Sequence, residues 1–343
     1  MRRLLEIQKR LLPDLNEQLR KRYTILQQIG LSRSIGRRTL AASLGWTERV
    51  LRAETNFLKE QGLLTMEASG MRLTDEGRRI VEEIEPIVKE LFGLSELEEQ
   101  LRQRYGLRQV TVVVGDCDQS PLAKAELGRA AAAALRKYAV PEGIVAVTGG
   151  TTMAQVAEQL VASPQLKGTL FVPARGGLGE RVELQANTIA SAMAKRTGGQ
   201  YRMLHVPDHL SEDAYQTLMQ EPNIREIVEL IRRARIVLHG IGEALVMARR
   251  RQVPQETCEA LLAEGAHAEA FGYYFNRKGG VVHKMPTVGL RLEDIDAMDT
   301  VIGVAGGASK GPAIDAIMRS GHTDVLITDE AAARAILEQQ APE

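Results

Sequence analysis

The residues best suited to chemistry in this chain sit in short glycine-rich stretches. Gly149-Gly150-Thr151-Thr152 joins an apolar run, Ile144 to Val147, to a helical pattern with apolar positions at Met153, Val156, Ala157 and Leu160. Glycine lets the backbone approach a ligand, a helix start offers N–H groups without intrahelical acceptors, and two hydroxyls add donors. That combination suits a phosphate. The same residues would also make an ordinary strand-to-helix turn, and four residues do not decide between the two. Pro173-Ala174-Arg175-Gly176-Gly177 presents a guanidinium able to clamp a second anionic group. Gly240-Ile241-Gly242-Glu243-Ala244 opens a helix leading to Arg249, Arg250 and Arg251, and Ala305-Gly306-Gly307-Ala308-Ser309-Lys310 sets an ammonium beside a helix start. Each has a plain alternative: a surface charge at Arg175, a solvated helix end for the arginines, a carboxylate partner for Lys310. Their recurrence after apolar runs favours a single pocket for an anionic small molecule.

These turns need a scaffold, and the pattern from Arg108 onward supplies one. Candidate strands at Val110–Val114, Ile144–Val147, Thr169–Val172, Tyr201–Val206, Ile236–His239, Val301–Val304 and Val325–Ile327 alternate with helices, among them Pro121–Tyr138 and Leu184–Arg196. Such alternation predicts a doubly wound, mainly parallel α/β domain, whose ligands bind beyond the carboxyl ends of the strands, where these turns lie.

The amino-terminal part has a different character. Residues 1–75 carry 14 Lys and Arg against 8 Asp and Glu, a balance of +6, leaving 30 against 36 for the remainder. A basic segment on an acidic body points to a polyanion for the first part, although an excess of this size is also an ordinary solvated surface. Leu5, Leu12, Leu19 and Leu26 recur seven apart, with Leu4, Leu11, Leu15 and Tyr23 widening the stripe, which predicts an amphipathic helix interrupted near Pro13 and packed on its own domain, with a second subunit as the alternative. A short helix from Arg37 to Leu44, a turn at Gly45-Trp46 and a longer helix capped by Thr47 make a helix-turn-helix. Val50, Leu51, Phe57 and Leu58 are its candidate core residues. Thr47, Glu48, Arg49 and Arg52 crowd the first turns of the second helix, the positions that reach base edges in a major groove, and Arg37 and Arg38 open the first. Leu63–Glu67 and Met71–Thr74, joined across Ser69-Gly70, read as a two-stranded wing. The expected division is a winged-helix head over 1–75, a helical linker over 76–106 broken at Pro86 and restarted by a capping box at Ser95–Glu98, and an effector-binding domain over 107–343.

Composition narrows the functional classes. Hydrophobic residues make up 44% and charged residues 26%, values of an ordinary globular chain, with no apolar run of membrane-spanning length and charges interleaved through the first residues, so a cytoplasmic location is expected. Cys117 and Cys258 are far apart and are expected to be reduced, structural thiols. The histidines show no metal-site spacing, and Pro207 separates His205 from His209, so no metal is expected.

The stretches GRRTLAASLGWTERVLRAETNFLKEQGLL and GMRLTDEG, followed by VTGGTT, PARGG, VELQANTIA, HGIGEA, AEGAHAEAFGYYFN and VAGGASKGPAIDAIMRSGHTDVLITDEAAA, resemble the sugar-binding transcriptional regulators of the sorbitol-operon and deoxyribonucleoside type over nearly the whole chain. The resemblance implies a repressor of glycolytic genes, without a cofactor, that binds operator DNA and is released by a phosphorylated sugar, with fructose-1,6-bisphosphate as inducer. It implies that Gly149, Gly150, Thr151, Thr152 and Lys310 hold one phosphate, that Arg175 and Arg250 hold the other, and that Gln185 and Glu269 meet sugar hydroxyls. It further implies a homo-oligomer, at least a dimer on half-sites and in one version a tetramer on DNA. The same domain is similar to sugar-phosphate isomerases and deaminases, which makes an enzyme the alternative. Those enzymes continue Gly-x-Gly into x-Asp-Gly-His, whereas Ala244 and Val246 stand here at the acid–base positions.

Overall fold

The computed structural model describes residues 7, 10–32, 34–177, 181–207, 212–251 and 253–339. Leu4, Leu5 and His209, which entered the leucine and histidine patterns, lie outside the described residues. The chain separates into two compact units, one running to Leu97 and including Ser120–Leu122, the other comprising Glu98–Gln119 and the chain from Ala123 onward.

In the first unit Pro13 opens helix α1 (Pro13–Leu31), at a position where its missing N–H leaves no hydrogen bond unmade. Only the second half of α1 packs inward, through Tyr23, Ile25, Leu26 and Ile29. Leu11, Leu12 and Leu15 are exposed, so the leucine stripe does not pack along its whole length. Helices α2 (Arg37–Leu44) and α3 (Glu48–Glu60) form the helix-turn-helix, with Gly45 at φ 66° making the turn and the Thr47 hydroxyl accepting from Val50 N at 3.4 Å. Strands β1 (Leu64–Glu67) and β2 (Gly70–Leu73) pair antiparallel, and a bridge from Ile35 to Met71 ties the loop before α2 to the wing. The core of α3 is Leu51, Thr55 and Leu58, one face at helical spacing. Val50 and Phe57 stand off that face at 45% and 36% exposure, correcting their expected burial, and the Arg22 guanidinium covers the Phe57 ring at 3.7 Å.

Helix α4 (Asp75–Leu91) packs on α1 and β2 and runs through Pro86 without the expected break. Pro86 is exposed on the solvent side of the helix. Helix α5 (Leu94–Tyr105) follows Gly93 at φ 72° and already includes Ser95 in its first turn. Ser95 thus lies inside the helix rather than at its N-cap, and the Glu98 carboxylate accepts the Val112 N–H at 2.9 Å.

The second unit holds a sheet of seven strands, β3 (Gln109–Val113), β4 (Ile144–Val147), β5 (Leu170–Pro173), β6 (Gln200–Tyr201), β7 (Ile236–Gly240), β12 (Thr300–Val304) and β13 (Val325–Asp329), in the order β3-β13-β12-β7-β4-β5-β6 with every pairing parallel. Helices α6 (Pro121–Tyr138), α7 (Thr151–Gln159), α8 (Ala186–Thr197), α9 (Glu212–Leu218) and α10 (Pro222–Arg232) precede or link its strands. Val145, Val147, Phe171, Leu238, Ile302 and Ile327 form its core with Leu127, Ala131, Leu135, Met153, Val156, Ile189 and Met193 from the helices. The sixth strand is shorter than the expected Tyr201–Val206, because only Gln200 and Tyr201 pair with β5.

A second sheet was not foreseen. Strands β8 (Gly242–Glu243), β9 (Ala266–Ala270), β10 (Tyr273–Asn276) and β11 (Val281–Lys284) pair antiparallel in the order β11-β10-β9-β8. Helices α11 (Ala244–Arg250) and α12 (Gln255–Ala263) connect β8 to β9, and Ala244, Ala248, Leu261, Tyr274 and Met285 make a separate small core. Helices α13 (Leu292–Asp296), α14 (Gly311–Ser320) and α15 (Glu330–Glu338) complete the unit. No described helix is long and apolar enough to cross a membrane.

Candidate effector site and nucleic-acid interface

From β4 the chain steps outward to β5 and β6, then returns to β7 and steps the other way to β12 and β13. Neighbouring strands β4 and β7 therefore diverge in their connections, which opens a crevice at their carboxyl ends. The turn after β4 lies there. Thr148 is tied down, its N–H donating to Leu238 O at 3.0 Å and its hydroxyl accepting from Gly240 N at 3.1 Å. Gly150 adopts φ 112°, a value that favours glycine, and donates its N–H to Leu184 O at 2.8 Å, so its own amide is already used. As the N-cap of α7 it brings no side chain to that helix, whose start carries exposed Thr151 and half-buried Thr152.

The loop after β5 is stitched in place by Gly176 N to Val288 O at 2.9 Å and Gly177 N to Val206 O at 3.1 Å. Arg175 is 4% exposed rather than a surface charge, with Nη1 at 3.5 Å from Glu269 Oε1. Arg251 Nη2 meets the other carboxylate oxygen at 2.7 Å, and Gly272 N donates to Oε1 at 2.8 Å. Burial opposes ionisation of Glu269, but Arg251, Arg175 and the Gly272 N–H outweigh it and hold its pKa below the ordinary carboxylate value. Glu269 is thus occupied in joining two guanidiniums. Arg251, which the sequence reading passed over in favour of Arg250, is the member of the triplet that turns inward. Gln185 is half-buried as the N-cap of α8, and a Cβ added at Gly177 would lie 4.0 Å from its side-chain oxygen.

After β12, Gly307 adopts φ 106° and donates its N–H to Asp329 Oδ2 at 2.7 Å. Asp329 is fully buried and also accepts from Cys117 N at 2.6 Å and Ala332 N at 2.8 Å. Burial raises its pKa against the pull of these three N–H groups. The Lys310 ammonium is desolvated, which lowers its pKa, while the charges of Asp118 and Glu243 oppose that fall and Arg250 adds to it. Exposed Arg250 therefore belongs electrostatically with Lys310, whereas Arg251 belongs with Arg175. His239, at the end of β7, is fully buried, its ring tilted 39° against Phe271 with centroids 4.4 Å apart and Nδ1 at 3.2 Å from Gly240 O. Burial pulls its pKa down to about 4, so the ring is neutral near pH 7. Both cysteines are free and buried, and among the described residues no cluster of His, Cys, Asp and Glu could hold a metal ion.

In the first unit, Arg49 and Arg52 project from α3 into solvent. Arg38 Nε lies 3.0 Å from Glu48 Oε1, an exposed pair joining the two helices of the motif. Arg37 is half-buried and turned onto Met66 Sδ at 3.3 Å, so it ties α2 to the wing. The Ser34 hydroxyl donates to Ser69 O at 2.6 Å and fixes the wing tip.

A helix-turn-helix whose second helix presents exposed Arg49 and Arg52 beside a wing, and a parallel α/β unit gathering cations at its topological crossover, define a ligand-responsive DNA-binding regulator. Comparison with known proteins agrees: a model of a sugar-binding domain matches residues 89–338, and one of the CggR N-terminal DNA-binding domain matches residues 19–88. The central glycolytic genes regulator of Priestia megaterium is 51% identical over 98% of this chain and 99% of its own, and that of Bacillus subtilis 48% over 99% and 100%. A crystal structure of a SorC-family transcriptional regulator from Enterococcus faecalis superposes with TM-score 0.67 at 42% identity, over 71% of this chain and 100% of that one. The chain belongs to the family of central glycolytic genes regulators, DNA-binding transcriptional regulators with a sugar-binding domain. Its relatives are regulators and not enzymes, in keeping with Ala244 and Val246 at the acid–base positions.

Proposed function

We propose that the protein is a cytoplasmic repressor of glycolytic genes that grips operator DNA as a homo-oligomer, a dimer on half-sites and a tetramer where two sites are bridged, and releases it on binding a sugar phosphate, with fructose-1,6-bisphosphate as the foremost inducer. The head over 1–75 reads DNA through Thr47, Glu48, Arg49 and Arg52, with Arg38 beside them, the helices over 76–106 connect it, and 107–343 senses the sugar. One observation carries the effector reading: the strands flanking β7 end in a helix start with no side-chain cap, at Thr151 and Thr152, and in the desolvated ammonium of Lys310. N–H groups and a half-buried, desolvated cation are what a phosphate dianion needs. Gly149, Thr151, Thr152, Lys310 and Arg250 take one phosphate in this reading. Arg175 takes the other with Arg251 behind it, and Gln185 meets a sugar hydroxyl while Glu269 orients the guanidiniums. Inducer must bind tighter to the form that holds DNA poorly, since equal affinity for both forms shifts nothing.

Charge-assisted contacts are worth about 1.5–3 kcal/mol each, so Arg175→Ala should weaken calorimetric affinity for the bisphosphate about tenfold or more with operator binding intact. Unchanged affinity would remove Arg175 from the site.

A further inference from the structure

Three successive N–H groups of the turn after β12 point at carboxylates. Gly307 N donates to Asp329 Oδ2 at 2.7 Å, Ala308 N to Asp116 Oδ1 at 3.4 Å and Ser309 N to Asp118 Oδ2 at 2.9 Å. Consecutive main-chain N–H groups of this kind form a concavity for anions. Here the chain's own aspartates fill it. Two of the three are committed elsewhere: Asp329 is buried and also bonds Cys117 N and Ala332 N, and Asp116 accepts the Asp118 N–H at 2.8 Å within its own loop. Asp118 is exposed, so its carboxylate can swing into water. It presses so closely on the turn that a Cβ at Gly307 would lie 2.3 Å from its Oδ1, and its charge acts on the Lys310 ammonium.

We propose that Asp118 is an internal latch on the phosphate end of the effector site: its carboxylate holds the Ser309 N–H, one residue before Lys310, until a phosphate displaces it. This rests on the reading of Lys310 as a phosphate ligand. The exchange selects among ligands. A carboxylate brings one negative charge, and a phosphate dianion brings two charges and three acceptor oxygens, so phosphate wins the N–H and the ammonium. A neutral sugar hydroxyl offers neither charge nor a matching number of acceptors and leaves the latch shut. Asp118 therefore sets the affinity threshold that separates phosphorylated from free sugars.

Titration of the full-length protein with fructose-1,6-bisphosphate, and separately with inorganic phosphate, tests this. Asp118→Ala should tighten both by about tenfold, the worth of one charge-assisted hydrogen bond. Asp118→Asn, which keeps an acceptor for Ser309 N and so preserves the loop, should tighten them by less. Lys310→Ala is the control for the site itself and should weaken both. Weakened binding with Lys310→Ala, together with unchanged or weaker binding in the two Asp118 variants, would overturn the latch and leave the site standing. Binding indifferent to Lys310→Ala would overturn both.

Discussion

His239 offers a measurement in which stability reports the interior of the sugar-binding unit. Its pKa falls from the ordinary 6.5 to about 4 because burial disfavours the imidazolium. Between those values the unfolded chain binds a proton that the folded chain refuses, so stability is full above pH 6.5 and is lost as pH falls toward 4. Each pH unit of difference is worth about 1.4 kcal/mol, so the penalty reaches about 2.5 kcal/mol at pH 4.5 and about 3 kcal/mol below pH 4. Other groups titrate in this range, notably Glu269, whose lowered pKa removes stability as pH falls below its unfolded value. A variant isolates the histidine. His239→Gln has no proton to gain, so urea unfolding at pH 7 and 4.5 should show wild type losing about 2.5 kcal/mol more than the variant over that interval. A difference that stays constant with pH would mean that the imidazole is protonated in the folded protein, or solvated, and would refute the argument from burial.

Arg49→Ala and Arg52→Ala should each weaken operator retardation in a band-shift assay while leaving inducer affinity unaltered; if both variants shift DNA like the parent, α3 does not enter the groove. Glu269→Gln removes the charge that Arg175 and Arg251 share and should destabilise the protein by about 3 kcal/mol, read as a lowered urea midpoint that saturating bisphosphate partly restores. A loss below about 1 kcal/mol would show that Glu269 does not hold the two guanidiniums. Gly77→Ala places a Cβ 2.0 Å from Leu63 O, inside any real contact distance, and should lower the unfolding temperature of the DNA-binding unit. An unchanged transition would mean that α4 does not close on the β1 side of the head as described.

The parallel sheet was legible because its strands are short continuous apolar runs bounded by glycine and proline, and six of the seven appear within a residue or two of their expected places. The antiparallel sheet carried no such signal. Its ninth strand reads Ala-His-Ala-Glu-Ala, poor strand formers, and the hairpin to β10 turns through Phe271 and Gly272 at φ 57° and 85°, where asparagine or aspartate would have announced a turn. The glycine turns were legible as anchor points, but not which neighbouring cations bend inward. One clue lay in phase: Ala244, Ala248 and Arg251 fall on one helical face, and the two alanines are buried, so the third arginine was the one to follow them inside. The partner of the Asp118 carboxylate could not be read, since it is the backbone N–H of Ser309, 191 positions away. Pro86 misled because an interior proline need not end a helix, and here it sits on the exposed side of α4.

The bond from Glu98 to Val112 N bears on how the protein behaves in a crowded cell. Strand β3 closes one side of the large sheet, and a closing strand shows donors that any other extended chain can copy. A carboxylate seated on one of those donors makes the margin both charged and already satisfied. Losing it, as in Glu98→Ala, would leave the buried Val112 N–H without this acceptor and the margin of the sheet less protected.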